Sequence, residues 1–230
     1  MAQKVIILLG PPGAGKGTQA SLLFDKLGFY YLETSKLIEA NVMSAKEGDY
    51  AEVGGKKYYF LDEKKLWEQG ILCSPPFVSF LVRQKIEDLA SDGKGIIMAG
   101  SPRTLHEGED QVPLLKKLYG SENIKVVLIE ITPDQTIWRN SHRRICELMR
   151  HPILFSEETR ELSRCPLDGS KLVRREGLDD PETIKVRLNE YKERTLPLVE
   201  YFEREDLAVK RVAGNQSVEE VHRDILQVIQ

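Results

Sequence analysis

A glycine-rich segment near the start of the chain has the composition of a phosphate-binding loop. Gly10-Pro11-Pro12-Gly13-Ala14-Gly15-Lys16-Gly17-Thr18 follows five consecutive apolar residues and precedes a helical pattern. Glycines let the backbone curl so that successive N–H groups point at phosphate oxygens, and the helix N-terminus adds a favourable dipole. Lys16 would reach the β- and γ-phosphates and Thr18 would serve Mg²⁺, although Gly17 stands where the generic motif has Ser or Thr. The alternative is a glycine-rich turn that binds nothing.

The overall composition excludes several classes of protein. The chain has 230 residues, and its 33 Lys and Arg against 36 Asp and Glu give a net charge of −3. A dedicated nucleic-acid binder would show a basic excess, and no apolar run approaches the roughly 18 residues of a membrane helix. We therefore expect neither nucleic-acid nor membrane partners. The length fits one α/β domain with insertions.

The cysteine content and the first residues of the chain indicate a cytoplasmic protein. The three cysteines are an odd and sparse set, which suits a reducing compartment better than a disulfide framework. Lys4 is followed by only five apolar residues and then Gly10, without the cleavage pattern of a signal peptide.

Five short apolar runs alternate with helical patterns along the chain. Runs that are apolar throughout, rather than alternating, predict a parallel sheet covered by helices on both faces. The predicted strands are Val5 to Leu9, Phe29 to Leu32, Ile96 to Ala99, Val126 to Ile131 and Ala208 to Val212.

Two segments interrupt this alternation, and we interpret both as insertions into one core. The first, 34–86, begins with a helical pattern, continues through a predicted Gly- and Tyr-rich loop over 47–60, and ends in helices. The second, 141–180, contains two of the three cysteines and many charges. Asp180 and Pro181 then predict a helix start, because proline favours the first helical position. The core would comprise 1–33, 87–140 and 181–230.

Several motifs, taken in order, resemble those of the adenylate kinase family. The glycine-rich loop, with Gly and Thr directly after its lysine, closely resembles the family's P-loop. Each of the other motifs is modest alone, but their shared order makes the match specific. These motifs are Gly100 to Thr104, similar to the family's Asp-Gly-Phe-Pro-Arg-Thr; Arg139, Arg143 and Arg144 at the base of a lid; Arg175, Asp179-Asp180, Arg187 and Tyr191 after it; and Gly214 to Val218 in the last loop.

The resemblance implies a P-loop NTPase core and Mg²⁺-dependent phosphoryl transfer, ATP + AMP ⇌ 2 ADP. Such transfer needs positioning and charge neutralisation, and the acceptor phosphate is already deprotonated, so no general base is required. Arginine suits this role because its planar fork grips phosphate bidentately. The implied catalytic residues are Lys16, Arg103, Arg143, Arg175 and Arg187. The implied ATP-binding residues are Gly13, Ala14, Gly15, Lys16, Gly17, Thr18, Arg139, Arg143 and Gln216.

The two insertions then acquire a function, which is to exclude water from the transferring phosphate. Segment 34–86 would be the monophosphate clamp and segment 141–180 the lid over ATP. The implied monophosphate-binding residues are Thr34, Glu39, Leu72, Cys73, Gly100, Arg103, Glu107, Arg175 and Arg187.

The sequence departs from the family at the metal and at the monophosphate. Ala99 replaces an Asp that organises Mg²⁺ through water, so Mg²⁺ would depend on Thr18, the nucleotide phosphates and water. Glu39 replaces an Arg that grips the monophosphate, and a carboxylate there would repel phosphate unless a neighbour such as Lys36 compensates.

Glu107 takes the place of the family's adenine-reading Gln. An ionised carboxylate only accepts hydrogen bonds, so it satisfies half of the adenine edge and suits guanine better. The alternative is that Glu107 points to solvent and the base is held by backbone and apolar contacts.

Some family lids contain a structural zinc, and parts of that site recur here. Cys165 and Asp168 resemble the second ligand pair, whereas the first pair has Cys146 followed by Met149, and thioether is a poor zinc ligand. His151 would substitute for the missing ligand. The alternative is a former zinc knuckle held by packing and hydrogen bonds.

The leading hypothesis is therefore a monomeric, cytoplasmic nucleoside monophosphate kinase that uses ATP and AMP. Glu39 and Glu107 motivate an alternative in which GMP, CMP or UMP is the acceptor. Ala99 and Glu39 motivate a second alternative, a nucleotide-binding protein with weak or no turnover.

Overall fold

A computed structural model of the chain, which describes residues 4–68, 73–175 and 179–230, contains a five-stranded parallel sheet. The strand order is β10-β6-β1-β5-β2, and β1 pairs with β6 on one side and β5 on the other. These strands are β1 (Val5–Leu9), β2 (Tyr30–Leu32), β5 (Ile96–Met98), β6 (Ile124–Glu130) and β10 (Val209–Ala213). The predicted fold class and all five predicted strands are confirmed, with ends that differ by at most two residues.

Helices cover both faces of this sheet because successive side chains of each strand point to opposite faces. Val5, Ile7 and Leu9 join one buried cluster, and Ile6 and Leu8 join the other. The first cluster includes side chains of α4 (Pro75–Ser91), α5 (Leu105–Tyr119) and α8 (Leu198–Arg204). The second includes side chains of α1 (Lys16–Leu27) and α9 (Val218–Val228).

The chain between β6 and β10 contains two further core helices. Helix α6 (Pro133–Ser141) begins with a capping box between Thr132 and Gln135. Helix α7 (Pro181–Glu190) begins where predicted, because the Asp180 side chain accepts a hydrogen bond from Thr183 N and proline occupies the first position. A π-helical segment, Tyr191–Thr195, then leads towards α8.

Segment 34–86 differs from the prediction in one respect. It contains α2 (Thr34–Met43), α3 (Phe60–Glu68) and most of α4, but 47–60 is not only a loop. Strands β3 (Tyr50–Val53) and β4 (Lys56–Tyr59) form an antiparallel hairpin there. Gly54 and Gly55 have φ of 61° and 77°, as a two-residue hairpin turn with positive φ at both central residues requires. Ala51 of β3 is buried with Phe77 of α4.

Segment 141–180 contains a small antiparallel sheet of its own. Its strands are β7 (Arg144–Cys146), β8 (Pro152–Ile153) and β9 (Leu172–Val173), in the order β8-β7-β9. The strands of the main sheet all lie outside this segment and outside 34–86. In the described part of the chain, no helix is long and apolar enough to cross a membrane.

The small core of the clamp segment can be tested at Phe77, which has no exposed surface and meets the Phe60 ring edge-on. We expect Phe77→Ala to lower the free energy of unfolding by about 3–5 kcal/mol, because it removes a buried aromatic side chain and leaves a cavity. The matched control is Tyr59→Ala, which truncates a 45% exposed ring. Urea unfolding measures both, and equal effects of the two substitutions would contradict this packing.

Candidate functional site

The glycine-rich loop connects the end of β1 to the start of α1. Gly15 precedes the helix with φ of 90°, and Lys16 is its first residue. The Lys16 ammonium folds back over the loop and donates to Gly10 O at 2.6 Å and to Pro11 O at 3.0 Å. The loop carbonyl groups therefore bind the lysine ammonium, and the predicted contact of Lys16 with the β- and γ-phosphates stays a prediction.

Asn140 of helix α6, a residue that the sequence did not single out, packs against the glycine-rich loop. A Cβ atom on Gly13, whose φ is 83°, would lie 2.7 Å from Asn140 Nδ2. Asn140 is fully buried and donates through the same nitrogen to Thr136 O at 2.7 Å. Only glycine fits this close approach. No sequence signal marked Asn140, because its importance depends on where α6 packs.

The predicted cations converge on Lys16 from separate parts of the chain. Burial lowers the pKa of Lys16 from 10.5 to about 7 together with the smaller effect of the positive charges of Arg103, Arg187 and Arg143. Arg103 follows β5, Arg143 follows α6, and Arg187 lies on α7. Four positive charges thus share one region, which is an arrangement suited to binding a polyanion.

One buried carboxylate, Asp179, holds the arginines together. Its side chain is 2% exposed and accepts from Arg175 Nε at 3.0 Å and from Nη2 at 2.5 Å. Arg187 and Arg143 lie 3.8 and 3.9 Å from the same carboxylate. Burial and Arg175 lower the pKa of Arg143 to about 10, against the opposing effect of Asp179. The sequence marked the Asp179-Asp180 pair, but not that three arginines share Asp179.

Arg139 joins the glycine-rich loop to the last loop of the chain. Its guanidinium donates to Gly214 O at 2.8 Å and to Gly13 O at 3.4 Å. Gln216, predicted to bind ATP, lies in that last loop and donates to Ala213 O and to Asp224. The structure therefore brings the predicted ATP-binding residues of the two loops together.

The side chains beside Arg139 form an aromatic cluster at the start of the lid segment. Trp138 and His142 have ring centroids 4.9 Å apart, and both rings contact Phe155. Arg144 does not face Lys16: it donates to the carbonyl groups of Thr159 and Leu162 within the lid segment.

Two of the predicted monophosphate residues, Thr34 and Arg103, lie beside a third, Gly100. A Cβ atom on Gly100 would lie 3.1 Å from Thr34 Oγ1 and 3.6 Å from Arg103 Nη2. Thr34 is 6% exposed, and its hydroxyl finds no hydrogen-bond partner among the described residues. Cys73 is buried beside Glu63 O, and Leu72 lies outside the described residues.

The carboxylate at position 39 has no compensating neighbour within the described chain. Glu39 is exposed, and no hydrogen bond or ion pair among the described residues involves it. Lys36, the residue expected to compensate, pairs instead with Glu33 at 2.9 Å. The carboxylate of Glu39 in α2 therefore has no ion-pair partner among the described residues.

Glu107 does not point to solvent, so the alternative is wrong in that part; that backbone and apolar contacts hold the base stays a prediction. The residue is 9% exposed, and its Oε2 accepts from Ser101 Oγ and from Arg103 N, each at 2.8 Å. Gln111, fully buried, donates to Ser101 Oγ at 2.8 Å. A hydrogen-bonded network satisfies the buried carboxylate, as a polar group out of water requires.

The four predicted zinc ligands lie close together in the lid segment. The ligand atoms of Cys146, His151 and Cys165 all fall within 4.8 Å of one another. Asp168 Oδ2 lies 2.9 Å from Cys146 Sγ, and hydrogen bonds from that thiol and from Ser170 hold the pKa of Asp168 well below its usual range. The sulfur atoms accept from backbone N–H groups three and two residues later. Two sulfurs, one imidazole and one carboxylate are a donor set that zinc prefers.

The fold and this site define a class, the P-loop nucleotide-binding proteins. The parallel sheet, the loop between β1 and α1, and the cations that converge on Lys16 are the features of that class.

Comparison with known proteins identifies the family. A family model described as adenylate kinase matches residues 8–207. The adenylate kinase of Clostridium acetobutylicum is 33% identical over 230 residues, covering 97% of this chain and 98% of that protein. Those of Chlamydia pneumoniae, 32% identical with 98% and 97% covered, and Caldicellulosiruptor saccharolyticus, 30% identical with 97% and 98% covered, are also similar. The chain belongs to the adenylate kinase family and is a nucleoside monophosphate kinase.

The convergence of cations predicts a pH dependence of stability. Lys16 has a pKa of about 7 when folded and an ordinary value of 10.5, so between these values the unfolded chain binds the extra proton. Stability of the ligand-free protein should therefore rise with pH through this window. We expect the unfolding free energy of wild type minus that of Lys16→Met to increase from about pH 7 to pH 10.

Urea unfolding at a series of pH values measures this difference. Lys26→Met, which removes an exposed lysine from the same helix, is the control and should show no such trend. A difference between wild type and Lys16→Met that stays constant across the window would contradict the prediction.

Proposed function

We propose that this protein transfers the γ-phosphoryl group of ATP to AMP with Mg²⁺, giving two ADP. The observation that supports the proposal most directly is the convergence of Lys16, Arg103, Arg143 and Arg187 beside the glycine-rich loop. Charge neutralisation and positioning account for most of the catalysis of phosphoryl transfer. The names of the family's characterised members agree with AMP as the acceptor.

The position of each residue in the fold then suggests whether it binds the donor phosphates, the acceptor or the transferring group. Backbone N–H groups of 13–18 and the Lys16 ammonium bind the donor phosphates at the N-terminus of α1. Arg103 and the Thr34 hydroxyl lie on the acceptor side of the same cleft. Arg143, Arg175 and Arg187, gathered by Asp179, neutralise the transferring group.

When bound, Mg²⁺ would supply neutralisation of the negative charge on the phosphates. Thr18 fits a role in holding it, because its hydroxyl lies in the first turn of α1, two residues after Lys16. Ala99, at the end of β5, packs against the second buried cluster and offers no ligand. The metal would therefore depend on Thr18, the nucleotide phosphates and water.

We propose that 34–86 acts as a monophosphate clamp and 141–180 as a lid, with 1–33, 87–140 and 181–230 as the core. Each insertion contains its own small sheet, and neither adds a strand to the main one. Closure of both would exclude water from the reacting phosphates. We further propose that the protein acts as a monomer in the cytoplasm, where its three free cysteines stay reduced.

An acceptor other than AMP is the main alternative, and the unpaired Glu39 favours it. Its charge lies in the clamp helix α2 without a compensating cation among the described residues. Initial rates of ADP formation from ATP with AMP, GMP, CMP and UMP, with and without Mg²⁺, distinguish these acceptors. The highest kcat/KM with AMP would support the proposal.

Lys16→Met tests the reaction itself. Loss of the ammonium that serves the donor phosphates should reduce turnover at least about 10³-fold with every acceptor. Lys26→Met keeps the same helix and should retain wild-type turnover. ATP binding by wild type with no transfer to any monophosphate would instead show a nucleotide-binding protein without turnover and would refute the proposal.

We propose in addition that Cys146, His151, Cys165 and Asp168 hold a structural zinc in the lid. The two cysteines are buried, and the donor atoms already lie within a few ångströms of one another. A closed four-ligand site of this kind stabilises the segment that contains it.

Metal analysis of protein purified without a His-tag tests this site. We expect about one zinc per chain, lost in Cys165→Ser and kept in Cys73→Ala, which changes a cysteine outside the lid. A zinc content below about 0.2 per chain in wild type would eliminate the proposal and leave a knuckle held by packing.

A further inference from the structure

We propose that Glu107 is a positioning residue for Arg103 and does not read the acceptor base. This inference rests on the proposed function, because it assigns Arg103 to the acceptor phosphate. The Arg103 N–H and the Arg103 carbonyl are each fixed by a different side chain.

The first fixed point is the Arg103 N–H. It donates to Glu107 Oε2 at 2.8 Å, and Ser101 Oγ donates to the same oxygen at 2.8 Å. One carboxylate oxygen therefore binds the residue two before Arg103 and Arg103 itself. Glu107 N in turn donates to Thr104 Oγ1 at 3.2 Å, which begins α5 directly after the arginine.

The second fixed point is the Arg103 carbonyl. It accepts from Thr195 Oγ1 at 2.8 Å, and Thr195 ends the π-helical segment that follows α7. That segment lies 92 residues further along the chain. The arginine backbone is thus held between the start of α5 and the π-helical segment that directly follows α7, the helix on which Arg187 lies.

The environment of Glu107 suits this role better than base recognition. The residue is 9% exposed, and its Oε2 accepts two hydrogen bonds. The fully buried Gln111 donates to Ser101 Oγ, which is one of the two donors. A carboxylate in the first turn of a helix also interacts favourably with the helix dipole. Base recognition would need donors and acceptors turned to the ligand, whereas Glu107 Oε2 accepts from Ser101 Oγ and Arg103 N, and Thr104 Oγ1 donates to Oε1 at 3.4 Å.

The two roles differ in what Glu107→Ala would change. If Glu107 positions Arg103, the substitution weakens the grip on a phosphate that every acceptor shares. We expect the Kd and KM for AMP, GMP, CMP and UMP to rise together by about 10-fold or more, the effect of losing charge-assisted hydrogen bonds. The KM for ATP should stay within about 2-fold of wild type, since Arg103 serves the acceptor.

Glu107→Gln should restore the acceptor affinity that Glu107→Ala loses. Because both hydrogen bonds go to one oxygen, the amide oxygen can replace Oε2 and keep Ser101 Oγ and Arg103 N satisfied. We expect acceptor Kd values within about 3-fold of wild type for all four bases. Glu109→Ala, which removes an exposed carboxylate from the same helix, should leave them unchanged.

Thr195→Val tests the other end of Arg103 and does not disturb the buried network, so it serves if Glu107→Ala does not fold. It should raise acceptor KM for all bases in the same proportion, by about 3-fold or more, the loss of one neutral hydrogen bond. Thermal unfolding of each variant reports its folded state.

Calorimetric Kd values separate this inference from the proposed function. Uniform weakening of all monophosphates without any turnover in wild type would refute the reaction and keep the positioning role. A change confined to one base in Glu107→Ala, or a loss in Glu107→Gln as large as that in Glu107→Ala, would overturn the positioning role.

Discussion

Mutual repulsion among five cations is the constraint on which this structure depends. Side chains that repel one another lie together only when the fold holds them and a counter-charge offsets them. Among the described residues, the carboxylate of Asp179 lies within 3.9 Å of three of the arginines and offsets part of their charge. The buried carboxylate of Glu107 lies beside a fourth, where it accepts from Arg103 N at 2.8 Å. The cations are Lys16, Arg103, Arg143, Arg175 and Arg187.

The parallel sheet explains how residues so distant in sequence reach one cleft. Strands β1 and β5 are hydrogen-bonded neighbours, with Ile7 opposite Met98, so the loops that follow them leave the same edge side by side. One loop brings Lys16 and the other Gly100 and Arg103. Arg143 follows α6, Arg175 precedes α7 and Arg187 lies on α7, and these two helices pack against each other. The apolar core therefore determines the spacing of the charges.

The strands and the P-loop were predictable because their signals are local. Continuous apolar runs marked the sheet, and glycine spacing before Lys16 marked the loop. The hairpin of β3 and β4 was missed because its strands are largely exposed and bury little besides Ala51, although Gly54-Gly55 is a hairpin signal. The roles of Asp179 and Asn140 were not predictable in the same way, because each depends on contacts between elements that only the folded chain brings together.

Glu39 and Glu107 show why a departure from a family pattern has to be judged in the fold. Both are carboxylates where the family has a different residue, and in sequence both argue equally against AMP. In the structure Glu107 is buried and accepts hydrogen bonds from Ser101 Oγ and Arg103 N. Glu39 is exposed and has no ion-pair partner among the described residues, because Lys36 pairs with Glu33 instead. The same type of substitution is therefore compensated by hydrogen bonds at one position and left to solvent at the other, and only the folded chain distinguishes the two.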